Sequence, residues 1–185
     1  MNKVWLEHHK SLWMETSGHT HYAPLNKALQ VDVAIIGGGI SGLSAAYMLQ
    51  SAGKSVALVE KDEIAMGESG YTTAHLSVAL DTRYYKLISK FGEEKTFNVL
   101  QSTHEAIDFI EKTSLLLARD TKFKRVPAYL YAENFVGIED VEKEAIATLD
   151  LGLKTTLLRN MKIKSALTDL PFPVEAVLRF DNQAQ

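Results

Sequence analysis

The stretch from Asp32 to Glu60, DVAIIGGGISGLSAAYMLQSAGKSVALVE, restricts the fold more than any other part of the chain. Val33 to Ile36 is an apolar run without alternation, the pattern of a parallel strand buried on both faces. Gly37, Gly39 and Gly42 follow in G-x-G-x-x-G spacing. Gly37 permits the tight turn out of the strand, and Gly39 leaves the backbone open to a pyrophosphate. Gly42 lets the next helix pack closely on the sheet. A helix is expected over 40–52, with Leu43, Ala46 and Leu49 on one face and Gly53 at its C-terminal cap. Its N-terminus aims unpaired N–H groups and the positive end of the helix dipole at an anion. A second buried strand over 55–59 ends in Glu60. An acid at that strand end suits hydrogen bonds from both hydroxyls of a ribose.

A lone G-x-G-x-x-G arises readily in glycine-rich loops. Here the strand before, the helix after, the second strand and the terminal acid all fall where βαβ geometry needs them. That context points to a dinucleotide site rather than to a tight turn with no ligand.

The next segment, KDEIAMGESGYTTAHLS over 61–77, is dense in Gly, Ser and Thr. It leaves the ribose-binding strand end and must cross the crevice at the carboxyl end of the sheet. Ser69, Gly70, Thr72, Thr73 and Ala74 are therefore candidates to offer N–H and hydroxyl donors to phosphate, and room for a flat ring system.

The fingerprint DVAIIGGGISGLSAAY, the terminal VEK and the later GESGYTTAHLS together resemble the D-amino-acid-oxidase-like family of FAD-dependent oxidoreductases. Within it the likeness is to bacterial members that often carry a C-terminal Rieske iron–sulfur domain. The resemblance implies FAD as cofactor, with the acid on the adenosine ribose and the small-residue loop near the pyrophosphate and isoalloxazine. It carries those roles to Gly37, Gly39, Ile40, Ser41, Gly42, Glu60, Lys61, Thr72, Thr73 and Ala74. It is strong over 31–80 and weaker to the end of the chain.

Downstream, Asp81 is placed to cap a short helix in which Tyr84, Leu87, Ile88 and Phe91 form a stripe ended by Gly92. A longer helix is expected over 93–116, with Phe97, Leu100, His104, Ile107 and Ile110 on one face. His104 there reads as a hydrogen-bonded core histidine rather than a base. Residues 123–132 read as a strand that Pro127 assigns to an edge or a bulge. A helix over 139–149, with Val141, Ala145 and Leu149 inward, and strands over 154–158 and 174–180 follow, with Pro171 and Pro173 marking a loop between the strands. The resemblance makes this region part of a substrate-covering domain. Tyr129 and Tyr131 face either a substrate or ordinary packing partners.

Composition narrows the alternatives. A chain of 185 residues with 46% hydrophobic content and a formal charge of −3 is a globular protein, with no sign of a nucleic-acid or membrane-surface binder. The absence of cysteine removes disulfides, thiolate zinc, iron–sulfur ligation and thiol nucleophiles. His8, His9, His19 and His21 have only Glu7 and Glu15 near them and read as scattered histidines, so no metal site is expected. No secretory signal is visible at the start and no apolar run reaches membrane-spanning length, which makes the cytoplasm the expected compartment.

The expected fold is α/β, a Rossmann-like βαβ FAD-binding core of an incomplete doubly wound sheet plus part of an α+β substrate domain. The expected division is an arm over 1–30, an FAD-binding part over 31–117 and a partial substrate domain over 118–185. The chain is expected to be the N-terminal portion of a longer flavoenzyme acting on a small amine or amino acid by hydride transfer. A non-catalytic fragment binding FAD or an ADP-like ligand, and an NAD-dependent dehydrogenase, are the alternatives. No side chain is assigned a catalytic role, and the oligomeric state is left open.

Overall fold

The computed structural model describes residues 11–117, 120–159, 163, 167 and 172–185. The chain divides into two compact units at Thr73–Ala74.

In the first unit, helix α1 (Leu12–Thr16) precedes strand β1 (Val33–Ile36), helix α2 (Ile40–Ser51) and strand β2 (Val56–Val59), and a 3-10 turn (Glu68–Tyr71) closes the order. Strands β1 and β2 pair in parallel, Val33 opposite Val56 through Ile36 opposite Val59. Helix α2 is the crossover between them, as two parallel strands require. The turn into α2 depends on glycine. Gly37 has φ +105°, and a Cβ on Gly42 would sit 2.0 Å from the Gly37 carbonyl oxygen.

The expectation that β1 is buried on both faces is corrected. Val33 and Ile35 are half-buried, whereas Ala34 is exposed and Ile36 is 90% exposed. With only β2 beside it among the described strands, one face of the sheet has no packing layer in the first unit. Helix α2 likewise contains no buried residue. Ala46 and Leu49 are half-buried, and Leu43 is 36% exposed.

The second unit holds helices α3 (Tyr84–Phe91), α4 (Glu93–Leu116) and α5 (Phe135–Asp150) with strands β3 (Arg125–Ala132), β4 (Thr155–Arg159) and β5 (Ala176–Ala184). The sheet is antiparallel in the order β3-β5-β4. Helix α5 packs along it, and the core gathers Tyr84, Leu100, Val141, Ala145, Leu178 and Phe180. Burying side chains of that size contributes roughly 1.5–3 kcal/mol each. The pairing register breaks between Val126 and Ala128, which places Pro127 at a bulge where no ladder N–H is needed. Helices α3 and α4, assigned by the sequence to the dinucleotide-binding part, lie in this unit, α3 packing on both α4 and α5.

Three local readings are corrected by the structure. Asp81 does not cap α3. Arg83 occupies that position without a side-chain bond, and the buried Glu144 carboxylate accepts the Tyr85 N–H at 3.3 Å instead. Helix α5 begins earlier than expected because Asn134 caps it, its side-chain oxygen accepting the Gly137 N–H at 3.2 Å. Leu149 points outward at 59% exposure, while Thr148 and Leu151 face the core. Thr148 lies on the same face as Val141 and Ala145, and its buried hydroxyl is satisfied by the Ala145 carbonyl at 3.0 Å and by the Thr155 hydroxyl on β4 at 3.1 Å. Of the two loop prolines, Pro173 is described and Pro171 lies outside the described residues. No helix among the described residues is long and apolar enough to cross a membrane.

Candidate functional site

The glycine turn and the end of β2 are joined by hydrogen bonds that the sequence spacing does not reveal. The Gly37 N–H donates to the Val59 carbonyl at 2.8 Å, continuing the ladder past the last strand residue. The Gly38 N–H donates to Glu60 Oε2 at 2.6 Å, and the Asp62 N–H donates to Glu60 Oε1 at 3.1 Å. The Gly38 bond, then the Asp62 bond, hold the Glu60 carboxyl below the usual carboxylate range. Glu60 is thus ionised at neutral pH and fixed in orientation. Each carboxylate oxygen has about two acceptor positions, so the group keeps capacity to accept further hydroxyl donors.

At the N-terminus of α2 the first intrahelical bond is Leu43 N–H to the Gly39 carbonyl at 3.0 Å. The N–H groups of Ile40, Ser41 and Gly42 therefore have no acceptor within the helix. That of Ile40 donates to Ser69 Oγ at 2.9 Å. A Cβ on Gly39 would lie 3.2 Å from the same hydroxyl, so Ser69 reaches over the turn where a phosphate would approach. Polar N–H groups at a positive helix end and a bare Cα suit a dinucleotide's pyrophosphate, and an ionised acid at the strand end can accept from the hydroxyls of its ribose.

The structure brings Gly37, Gly39, Ile40, Ser41, Gly42, Glu60 and Ser69 to one end of the β1–α2–β2 unit. Gly70 is buried within the 3-10 turn beside Ser69. The Lys61 side chain points to solvent and pairs with Asp62 at 3.5 Å. Thr72 follows the 3-10 turn with extended backbone, and its carbonyl accepts the Trp13 indole N–H at 2.8 Å. Thr73 is the last residue of the first unit, and Ala74, with φ +57°, is the first of the second.

Sequence reasoning did not single out Gly38, and it read Trp13 only as an apolar anchor of an arm lying over the domain. Gly38 had a signal, the middle glycine of GGG, since a Cβ there would press on Glu60 Cβ at 3.2 Å. The indole N–H bond of Trp13 to the Thr72 carbonyl had no signal in the sequence. In the second unit Tyr131 stacks on Phe172 with ring centroids 5.2 Å apart. Tyr129 and Tyr131 line a concavity of about 440 Å³ with Arg83 and Asn134. His104 is half-buried on α4. Among the described residues no cluster of His, Asp or Glu has metal-binding geometry.

The family model described as "FAD dependent oxidoreductase" matches residues 32–169. The chain belongs to that FAD-dependent oxidoreductase family. A Bacillus subtilis relative, YhfW, whose name describes a Rieske 2Fe-2S iron–sulfur protein, is 29% identical over 178 residues. That alignment covers 95% of this chain and 33% of the relative. Among solved structures, glycine oxidase from Geobacillus kaustophilus superposes with a TM-score of 0.69 at 17% identity, covering 84% of this chain and 40% of that one. L-Amino acid deaminase from Proteus myxofaciens gives 0.69 at 16% identity, covering 90% and 35%. The chain therefore spans about a third of the length of that curated relative. At such identities the structural likeness speaks to the α/β fold, and the family match supplies the cofactor, FAD.

Proposed function

We propose that this chain forms the adenosine and pyrophosphate half of an FAD site in an oxidoreductase acting on an amine or amino acid. Glu60, held by the Gly38 N–H and ionised, is the observation that carries the reading. In this assignment its free acceptor positions take the ribose hydroxyls. The pyrophosphate lies over Gly39 against the N–H groups of Ser41 and Gly42 and the hydroxyl of Ser69, which the Ile40 N–H holds in place, and Gly37 sets the turn. Ser69, Gly70, Thr72, Thr73 and Ala74 border the flavin half, and Lys61 lies beside the ribose end. When bound, FAD supplies a two-electron acceptor for a hydride leaving a substrate carbon. These residues bind and orient; none is assigned a proton.

The substrate class is supported by the names of the structural neighbours, a glycine oxidase and an L-amino acid deaminase. FAD is favoured over NAD by the second small-residue loop and by the family match. The cytoplasm is the compartment carried over from the sequence.

The test is the FAD affinity of Glu60 variants, measured by calorimetry. Glu60→Gln keeps the shape and removes the charge, and FAD affinity should fall roughly tenfold for each charge-assisted bond weakened. Glu60→Ala should fall further. Unchanged affinity in folded variants would remove Glu60 from the site.

A further inference from the structure

The stretch 11–20 lies outside the segment that matches the family model, which begins at residue 32. Its hydrogen bonds and packing nonetheless converge on the loop that follows β2. The Ser11 hydroxyl accepts the Met14 N–H at 3.2 Å and donates to the Gly70 carbonyl, so one side chain caps α1 and ties it to the loop. The Trp13 indole N–H donates to the Thr72 carbonyl at 2.8 Å. The Met14 side chain lies so close over Gly70 that a Cβ there would be 2.9 Å from Met14 Cγ. Farther along, Thr20 N–H donates to Glu63 Oε1 at 2.9 Å, and His19 Nδ1 lies 3.0 Å from the same atom.

Immediately before the Gly70 anchor is Ser69, whose hydroxyl meets the Ile40 N–H over the glycine turn. The loop carrying it is irregular apart from the single 3-10 turn at Glu68–Tyr71. The Ala65 N–H donates to the Gly38 carbonyl at 2.9 Å and the Gly70 N–H to the Gly67 carbonyl at 2.9 Å, while the carbonyls of Gly70 and Thr72, on either side of the end of that turn, are held from outside by Ser11 and Trp13.

We propose that residues 11–20 are a clasp on the FAD loop, with Trp13 and Ser11 as positioning residues that set the place of Ser69 and hence FAD affinity. The proposal rests on the FAD assignment above. Its physical basis is that apparent affinity scales with the fraction of molecules whose loop is already in the binding shape. Loosening the clasp lowers that fraction without removing any atom that would touch the cofactor. If α1 only covered surface, Trp13→Phe would change nothing at the turn, because it keeps the ring's packing and deletes only the indole N–H.

The experiment uses the full chain and the variants Trp13→Phe, Ser11→Ala and Tyr22→Ala. Tyr22 is in the same arm and 76% exposed, which makes it the control. Amide hydrogen exchange without ligand is read at Ile40 and Gly70, and FAD affinity is read by calorimetry. Trp13→Phe and Ser11→Ala should each speed exchange at those amides and weaken FAD by roughly three- to tenfold, the effect of losing one neutral hydrogen bond. Tyr22→Ala should match wild type in both. FAD affinity within about twofold of wild type in both clasp variants overturns the proposal. So does faster exchange by one common factor across β1, α2 and β2, which would mark the arm as a general stabiliser. A wild-type chain that does not bind FAD overturns the FAD assignment and this proposal with it, an outcome distinct from binding that is indifferent to Trp13 and Ser11.

Discussion

Gly42→Ala adds one methyl group at the tightest point of the site. An ideal Cβ there lies 2.0 Å from the Gly37 carbonyl oxygen, 3.2 Å from its carbonyl carbon and 3.4 Å from Ile35 Cγ2. Such atoms do not approach closer than 3.0 Å, so α2 and the turn must separate by about 1 Å. The obstructing atom belongs to the backbone and cannot rotate aside. Overpacking costs typically about 1–3 kcal/mol, and a backbone obstacle places this case at the upper end. The same displacement would stretch the bond of 2.9 Å from the Ile40 N–H beyond hydrogen-bonding length. It would move the neighbouring first-turn N–H groups away from a bound phosphate by as much. FAD affinity should therefore drop by about tenfold for each charge-assisted hydrogen bond to phosphate that is broken. The assay is denaturant unfolding alongside calorimetric FAD titration. A Gly42→Ala chain with the wild-type unfolding midpoint and FAD affinity within about twofold would refute the packing of α2 against the turn.

Gly37→Ala probes strain without a clash, since nothing lies within 4 Å of its missing Cβ while its φ is +105°. It should destabilise by roughly 1–3 kcal/mol, read by the same unfolding assay, and wild-type stability would contradict the strained turn. Glu144 tests the second unit through pH. Burial, offset in part by N–H bonds from Tyr84 and Tyr85, pushes its carboxyl above the ordinary value of 4.5. The folded state therefore holds this proton more tightly than the unfolded chain. Its contribution to stability is complete below 4.5 and is lost as pH rises through the raised value. Glu144→Gln removes the titration, so the variant's stability relative to wild type should rise with pH above 4.5. A pH-independent difference between the two would contradict it.

The βαβ core was legible because its signals are local. Gly37 and Gly42 answer to one turn, the helix expected over 40–52 and found over 40–51 to that turn and to Gly53 beyond its end, and β2 to a short apolar run ending in an acid. Helix α4 was equally legible, its bounds of Glu93–Leu116 matching the expected 93–116. What periodicity misses is long-range satisfaction of polar groups. Asp81 had the right chemistry for a cap, but Glu144, far along the chain, supplies the acceptor to α3. Leu149 fits the apolar stripe of α5, yet the buried face runs through Val141, Ala145 and Thr148, whose hydroxyl finds a partner in Thr155, and Leu149 faces out. An apolar run such as Val33–Ile36 says that a strand prefers burial on both faces. It does not supply the second layer, and Ile36 remains 90% exposed. The site shows the same division. Spacing placed Gly39, Glu60 and Ser69 near one another. The bonds from Gly38 N–H to Glu60 and from Ile40 N–H to Ser69 required coordinates.

The central claim is that the residues between Asp32 and Thr73 hold the adenosine and pyrophosphate end of FAD. The most direct measurement is the absorbance spectrum of the purified full chain after incubation with FAD and removal of free ligand on a desalting column. The account predicts that flavin absorbance elutes with the protein and that added ADP, which carries the same adenosine and pyrophosphate groups, displaces it. Protein that elutes colourless, or that keeps its flavin at saturating ADP, would contradict it.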